Sequence, residues 1–168
     1  MSLQNSLPNM QDMIVRLVDL PEIGKNESAF AQKNILFRRP IAPEKSMVQD
    51  WVFANFGQYW SNEVEVAFSN MPPTCFIAQK EGEILGFACY ETSSRNFFGP
   101  MGTSEFFRGQ GIGEVLLVKS LLSMKEMGYA YAIIGGVGPA DFYKKAVGAT
   151  IIKGSEISIY QHLLPKKS

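Results

Sequence analysis

The stretch Phe107-Arg108-Gly109-Gln110-Gly111-Ile112-Gly113 places three glycines at alternate positions between an apolar strand pattern and a helix pattern that runs to Met127. Glycines leave backbone N–H groups uncovered, and a helix N-terminus adds unpaired N–H donors and about half a unit of positive charge. We therefore predict an anion-binding loop of a size suited to a pyrophosphate, with the guanidinium of Arg108 at its edge.

The spacing of these glycines excludes the two commonest phosphate-binding loops. A dinucleotide-binding loop has the pattern Gly-x-Gly-x-x-Gly, but counted from Gly109 its last position is occupied by Glu114. A P-loop ends in Gly-Lys followed by Ser or Thr, whereas the nearest lysine, Lys119, is not preceded by glycine. An ordinary tight turn without a ligand is the structural alternative.

Around this loop the chain alternates between strand and helix patterns, which predicts one α/β domain over residues 13–164 after an N-terminal extension, residues 1–12. The predicted strands are 13–20, 75–78, 84–90, 97–107, 129–134, 150–153 and 156–163. Helices are predicted through 29–31 and over 43–56, 59–68, 113–127 and 140–146. Gly99, Pro100 and Gly102 interrupt one strand, which indicates a bulge or a ligand close to the backbone.

The composition narrows the possible partners. Sixteen basic residues balance sixteen acidic ones, so no net charge attracts nucleic acid or anionic lipid. No apolar run approaches the ~18–20 residues of a membrane span, and the first residues lack the pattern of a secretory signal. We therefore expect a cytoplasmic protein without a nucleic-acid or membrane partner.

Cysteine and histidine are too scarce for a metal site, so we expect no metal. Cys75 and Cys89 are the two cysteines, and both lie in apolar segments where buried free thiols are expected. His162 is the single histidine. Its place near the end of an apolar strand pattern does not favour a Ser-His-Asp triad.

Two motifs give the chain a family resemblance. Arg108, Gly111 and Gly113 fill the pattern (Gln/Arg)-x-x-Gly-x-(Gly/Ala), and Phe142-Tyr143 is followed after four residues by Gly148-Ala149. With these motifs, residues 75–159 resemble the GNAT acetyltransferase superfamily. The resemblance implies a single-domain mixed central sheet flanked by helices, in which two splayed parallel strands form the CoA cleft.

The same resemblance implies that acetyl-CoA is the acyl donor. In the family the loop amides bind the CoA pyrophosphate, and the preceding strand hydrogen-bonds the pantetheine arm. The positions so implied in acetyl-CoA binding are Met101, Gly102, Thr103, Arg108, Gly109, Gln110, Gly111, Ile112, Gly113, Gly135 and Phe142. Backbone N–H groups near residues 101–103 are also candidates for holding the carbonyl oxygen as charge develops on it.

The implied reaction is direct attack of an amine on the thioester. The resemblance makes Tyr143 the general acid that protonates the leaving thiolate; without it, Tyr143 is an ordinary aromatic on the inner face of a short helix. Glu91, at the end of a hairpin strand, is a tentative general base, although a solvated carboxylate is the simpler interpretation. Glu105, Asp141 or a chain of waters could replace it.

We expect the acceptor to be a primary amine of a small molecule, bound by the N-terminal helices. Trp51, Tyr59 and Trp60 are the tentative acceptor contacts, although aromatic residues at helical spacing are equally typical of a core. A non-catalytic acyl-CoA sensor and a protein N-terminal acetyltransferase are the alternatives. Tyr143 favours an enzyme over a sensor, and the tryptophans favour a closed pocket over a peptide groove. Both monomer and homodimer stay open.

Overall fold

The computed structural model describes residues 10–165, which form one seven-stranded sheet with helices on both faces. The strands are β1 Gln11–Arg16, β2 Leu36–Arg38, β3 Cys75–Lys80, β4 Glu83–Tyr90, β5 Phe97–Thr103, β6 Tyr131–Val137 and β7 Thr150–Ile151. The helices are α1 Gly24–Ala31, α2 Lys45–Phe56, α3 Gln58–Phe68, α4 Ile112–Glu126 and α5 Ala140–Val147. The predicted single α/β domain with a mixed sheet is confirmed.

The strands lie in the order β2-β3-β4-β5-β6-β1-β7, and β5 and β6 are the parallel pair. The first strand of the chain, β1, therefore lies inside the sheet between β6 and β7. Ile14 pairs with Ile133 of β6 and with Thr150 of β7. Met13 and Val15 alternate toward the core and are 2% and 0% exposed. The alternating pattern of β1 thus buries one face as strand periodicity requires.

Two details of the sheet differ from the sequence prediction. The strand predicted at 156–163 is absent, and that segment consists of turns in which Ile157 and Ile159 are 72% and 55% exposed. Because β1 already pairs with β6, that side of β6 has no backbone groups left for a C-terminal strand. The structure also contains β2, which pairs with β3 at the sheet edge and was not predicted because its three residues are too short to show periodicity.

The two faces of the sheet carry separate cores. Helices α1, α4 and α5 cover one face, where α4 buries residues on most of its surface, including Leu116, Leu117 and Leu121. Helices α2 and α3 cover the other face with a smaller core of Val48, Val52, Val64, Ala67, Cys75, Ile77, Phe87 and Cys89. Both cysteines are buried and free, as predicted.

The segment after β7 crosses to the face covered by α2 and α3. Ser155 accepts a hydrogen bond from the backbone N–H of Asp12 at 2.8 Å, which ties the segment to β1. Further along, Tyr59 of α3 donates its hydroxyl to the carbonyl of Leu164 at 2.5 Å. The segment therefore lies between the end of the sheet and α3. Within residues 10–165, no helix is long and apolar enough to cross a membrane.

The interior position of β1 predicts a large difference between two equal substitutions. Val15→Asp should lower the free energy of unfolding by about 3 kcal/mol or more, because it buries a carboxylate without a partner. Val18→Asp is the matched control, since Val18 is 59% exposed whereas Val15 is 0% exposed. Urea denaturation measures both. Similar losses in the two variants would contradict the placement of β1 inside the sheet.

Candidate active site

The parallel pair β5 and β6 separates soon after it begins. Its paired residues are Phe97 with Ile133 and Phe98 with Ile134. Beyond these pairs β5 continues to Thr103 and β6 to Val137 without pairing to each other. The two strands therefore form the walls of a cleft whose facing edges keep unpaired backbone groups.

A bulge in β5 lies at the point where the strands separate. Ala88 of β4 pairs with Met101 and Tyr90 pairs with Phe98, so β5 has one more residue than β4 between these pairs. Gly99 within the bulge has a φ of +120°, which favours glycine. A bulge bends its strand and increases the local twist. The glycine and proline in this strand therefore mark a bulge, which was the first of the two possibilities predicted from the sequence.

The glycine loop connects the end of β5 to α4. Gly109 and Gly111 have φ values of +75° and +90°, and Gly111 caps α4 without a side-chain hydrogen bond. None of the backbone N–H groups from 108 to 113 donates to an acceptor within residues 10–165. Since the positive end of the α4 dipole lies at the same place, the loop has the donors and the field that a phosphate group requires.

The side chain of Arg108 lies back along β5. Its Nε donates to the carbonyl of Thr103 at 3.2 Å, and the side chain is otherwise exposed. The guanidinium therefore keeps most of its donors free beside the loop. This position agrees with the edge position expected from the sequence.

Helix α1 adds a cation to the surroundings of the loop. A groove of about 250 Å³ lies between them and is lined by Asn26, Ala29, Phe30, Lys33, Gln110 and Gly111. The ammonium of Lys33 lies 5.9 Å from the ring centroid of Phe30. Sequence reasoning did not find Lys33, because it is more than seventy residues before the loop and no local pattern marks it.

On the α4 face, several predicted site residues come together around Gly113. A Cβ on Gly113 would lie 3.6 Å from Thr103 Oγ1, 3.8 Å from Met101 Cε and 3.8 Å from Phe142 Cζ. The end of β5, the start of α4 and the start of α5 therefore meet at one glycine. The structure brings these four residues to the mouth of the cleft.

On the α2–α3 face, aromatic side chains lie directly on the backbone of the diverging strands. A Cβ on Gly102 would be 2.4 Å from Phe56 Cζ, which leaves no room for any other residue. A Cβ on Gly135 would be 2.7 Å from Tyr160 Oη and 2.9 Å from Phe97 Cδ2. Glycine is therefore required at both positions, and this face of the cleft is covered by Phe56 and Tyr160.

Tyr143 lies on the opposite face, beside the point of divergence. Its ring centroid is 6.4 Å from that of Phe98, the last β5 residue paired with β6, and 5.0 Å from that of Phe142. Burial raises the pKa of Tyr143 to about 12, so the phenol is protonated at neutral pH. Its hydroxyl has no hydrogen-bond partner within residues 10–165 and is free to donate to a ligand.

The carboxylate of Glu91 is held by two hydrogen bonds. Its carboxylate accepts hydrogen bonds from the backbone N–H of Asn96 at 2.5 Å and from the hydroxyl of Tyr129 at 3.0 Å. Its backbone N–H donates to the carbonyl of Phe97 at 2.9 Å, so Glu91 lies near the point of divergence, but both carboxylate oxygens already have partners. Glu91 therefore holds the β4–β5 turn, and its geometry argues against the predicted role.

The two alternatives to Glu91 are also poorly suited to activate an amine. Glu105 and Asp141 are both exposed, on the turn before the glycine loop and on the first turn of α5. A proton acceptor near the cleft must come from another residue or from solvent.

The tentative acceptor contacts mostly belong to an aromatic cluster. The ring centroids of Trp51 and Trp60 lie 5.8 Å and 5.0 Å from that of Phe56, and both rings also pack near Phe87. Tyr59 contacts the C-terminal segment through its hydroxyl. These residues support the wall of the cleft, and contact between them and an acceptor stays a prediction.

Diverging parallel strands beside a helix start with free amides form an α/β site that suits a ligand carrying a phosphate group. The chain belongs to the acetyltransferase (GNAT) family, whose family model matches residues 43–148 and thus more than half of the chain. Among curated proteins, none matches this sequence. Within residues 10–165, no three His, Cys, Asp or Glu side chains are grouped closely enough to hold a metal ion.

Solved structures show the same fold at low identity. A GCN5-related N-acetyltransferase from Sphaerobacter thermophilus is 16% identical with a TM-score of 0.67, over 85% of this chain and 48% of that one. A GCN5-related glucosamine N-acetyltransferase region of a fungal multi-domain protein is 16% identical with a TM-score of 0.69, over 85% and 20%. An acetyltransferase from Colwellia psychrerythraea is 16% identical with a TM-score of 0.56, over 84% and 53%. The chain thus spans from a fifth to about half of these proteins.

The free amides of the loop predict that Gly111→Val weakens binding of acetyl-CoA at least about tenfold, because a side chain would cover the anion-binding donors. Isothermal titration measures the affinity. Gly128→Val is the matched control, since Gly128 follows the other end of α4 and also has a positive φ, +102° against +90° at Gly111. It should lose similar stability through strain while binding normally. Normal binding by a folded Gly111→Val protein would contradict the phosphate role.

The raised pKa of Tyr143 predicts a stability change at alkaline pH. The unfolded phenol loses its proton near pH 10 and the folded one at about 12, so stability falls as pH rises between these values. At pH 11 the free energy of unfolding should therefore be about 1.4 kcal/mol lower, and Tyr143→Phe should not show this loss. Urea denaturation at pH 8 and 11 measures it, with Tyr131→Phe as control because Tyr131 is 52% exposed. Equal losses in all three proteins would contradict the burial of this phenol.

Proposed function

We propose that this protein is an N-acetyltransferase that moves the acetyl group of acetyl-CoA to the primary amine of a small molecule. The observation that carries the proposal is the run of unpaired N–H groups from 108 to 113, which begins where β5 and β6 have separated. Membership of the acetyltransferase family supports the reaction class. The donor and the acceptor are our assignment.

The proposed donor site runs from the loop into the cleft. The amides of residues 108–113 and the guanidinium of Arg108 hold the pyrophosphate, and Lys33 offers its charge to the phosphorylated end of the molecule. The pantetheine arm lies between the unpaired edges of β5 and β6, next to residues 101–103 and Gly135. An extended arm carrying amide groups matches strand edges that lack backbone partners.

The proposed chemistry is a direct transfer. The amine nitrogen attacks the thioester carbonyl, so the C–N bond forms while the C–S bond breaks, and the excess proton on nitrogen must leave. Tyr143 gives its proton to the departing thiolate. Burial raises the pKa of Tyr143 to about 12, so the phenol keeps its proton until the thiolate forms, and burial of the sulfur would raise the pKa of the thiol in the same direction.

The enzyme is favoured over a non-catalytic sensor by Tyr143. A sensor needs the pyrophosphate loop, but it does not need a protonated phenol without a partner beside the thioester. A small amine is favoured over a protein N-terminus by the way Phe56 and the C-terminal segment cover one face of the cleft. The fungal relative, described as a glucosamine N-acetyltransferase region, makes D-glucosamine a suitable test compound.

The function predicts CoA release from acetyl-CoA in the presence of a primary amine, and a large loss in Tyr143→Phe. The panel consists of ethylamine, ethanolamine, glycine and D-glucosamine, and released thiol is the readout. Tyr143→Phe should lower kcat by about 10² to 10⁴ because it removes the general acid. Its affinity for acetyl-CoA should stay within about threefold, since the hydroxyl acts as the C–S bond breaks.

Tyr131→Phe is the control for this experiment, because Tyr131 is exposed on the outer part of β6 and should behave as the wild type. Tight binding of acetyl-CoA without CoA release from any amine would favour the sensor. A Tyr143→Phe protein that loses affinity and rate together would make Tyr143 a residue that positions the donor. Unchanged kcat in a folded variant would remove it from the chemistry.

A further inference from the structure

A carboxylate on α3 lies close to the diverging strands. Glu63 Oε1 accepts a hydrogen bond from the hydroxyl of Ser93, in the turn that follows β4. Thr92 in turn donates to the carbonyl of Gly99 at 3.1 Å, within the β5 bulge. Glu63 thus bonds to the turn residue Ser93, whose neighbour Thr92 bonds to the bulge where the cleft opens.

Tyr160 of the C-terminal segment completes this polar group, which we define as the Glu63 site: Glu63, Ser93 and Tyr160. The hydroxyl of Tyr160 lies near Ser93 and 2.7 Å from the position of a Cβ on Gly135. The Glu63 site therefore lines the cleft on the α2–α3 face. All three residues are partly exposed, so a small molecule can reach them.

The Glu63 site carries negative charge without a counter-ion. Within residues 10–165, no Lys, Arg or His forms an ion pair with Glu63. Asp12, on β1, is a second carboxylate near Tyr160. Asp12 also accepts a hydrogen bond from the backbone N–H of Gly136 at 2.8 Å. Burial raises the pKa of Glu63, because its surroundings stabilise the anion less than water does. A half-buried carboxylate of this kind gains stability from a cationic ligand.

We propose that Glu63 binds the ammonium group of the acceptor at the cleft and takes its proton, with Ser93 and Tyr160 orienting the carboxylate. This inference rests on the proposed function, since it names the base and the acceptor class of the same site. The acceptor is a compact primary amine that is cationic at neutral pH. The carboxylate of Asp12 disfavours acceptors that carry a negative group next to their amine.

The proton balance of the proposed reaction is complete with Glu63. The ammonium gives one proton to the carboxylate of Glu63, and the neutral amine attacks the thioester. The C–N bond forms and the C–S bond breaks. Tyr143 protonates the thiolate and recovers a proton from the new amide nitrogen. Glu63 then releases its proton to solvent, so one ammonium and one thioester yield one amide, one thiol and one proton.

The positions of the two groups agree with this order. Tyr143 packs on Phe98 on the α4 face, whereas Glu63 lies on the α2–α3 face. The amine therefore arrives from one face of the sheet, and the proton for the thiolate comes from the other. Side chains on opposite faces at the same point suit a substitution in which one group enters as another leaves.

The test compares Glu63→Gln with Glu65→Gln. Both substitutions are on α3 and remove one charge, but Glu65 is exposed and paired with Lys45. With the protein saturated with CoA, titration calorimetry measures binding of ethylamine, ethanolamine and D-glucosamine, with D-glucose as the uncharged analogue of D-glucosamine. Glu63→Gln should weaken amine binding by about 10- to 100-fold, while Glu65→Gln changes it less than about twofold.

Turnover gives the second measurement. Glu63→Gln should lower kcat/KM by about 10² to 10⁴ and remove the acidic limb of its pH profile, whereas Glu65→Gln should keep both. Glu63→Asp keeps the charge and should recover part of the rate. Ser93→Ala keeps Glu63 but loosens its orientation, so it should lower kcat less than Glu63→Gln does. Circular dichroism and melting temperature show that each variant is folded.

The outcomes separate this inference from the proposed function. If the wild type releases CoA and Glu63→Gln keeps the same activity, the role of Glu63 is overturned while the proposed function stands. Amine binding that depends on Glu63 without any CoA release would support the Glu63 site and contradict the function. If the wild type binds none of the amines, or binds D-glucose as well as D-glucosamine, the ammonium site is overturned.

Discussion

Parallel pairing between β5 and β6 stops after two residue pairs, and the features of the site follow from that limit. Backbone groups that no longer pair across a sheet must find water, a side chain or a ligand. The extra residue in β5 turns the strand away at this point, and the positive φ of Gly99 makes the bend possible. If β5 and β6 stayed paired here, there would be no cleft between them, and no channel would lead away from the glycine loop.

Both walls of the cleft depend on residues without side chains. Gly102 and Gly135 allow Phe56 and Tyr160 to lie against the strand backbone, where a Cβ would be 2.4 Å from Phe56 and 2.7 Å from Tyr160. The two faces then differ in character. The α4 face holds a buried phenol next to the glycine loop, and the α2–α3 face holds a carboxylate for which residues 10–165 supply no counter-ion. A transferase can use this difference, because one proton must be removed from the amine and another must be supplied to the thiolate.

The place of β1 determines the shape of the acceptor side. Because β1 fills the space beside β6, the segment after β7 does not join the sheet next to β6 and instead crosses toward α3. This crossing brings Tyr160 over Gly135 and beside Ser93. The apolar alternation of residues 156–159 fits a strand equally well, so the pattern alone led to the wrong element. Strand pairing decides between the two, and pairing joins residues that are more than one hundred positions apart.

The sequence by itself determined the class of fold, the family and the loop, because these depend on local periodicity and on glycines at fixed spacing. It also predicted Tyr143 as the general acid, from its place in the motif with Phe142. It also predicted Glu91 as the base because Glu91 ends an apolar strand, whereas in the structure the carboxylate of Glu91 holds a turn, which argues against that role. Only the tertiary structure brought Lys33 to the loop and Glu63 to the cleft, because each lies on a helix distant in the chain and is positioned by packing. Local patterns record what neighbouring residues require of one another, whereas the environment of a single charged side chain depends on which distant elements cover it.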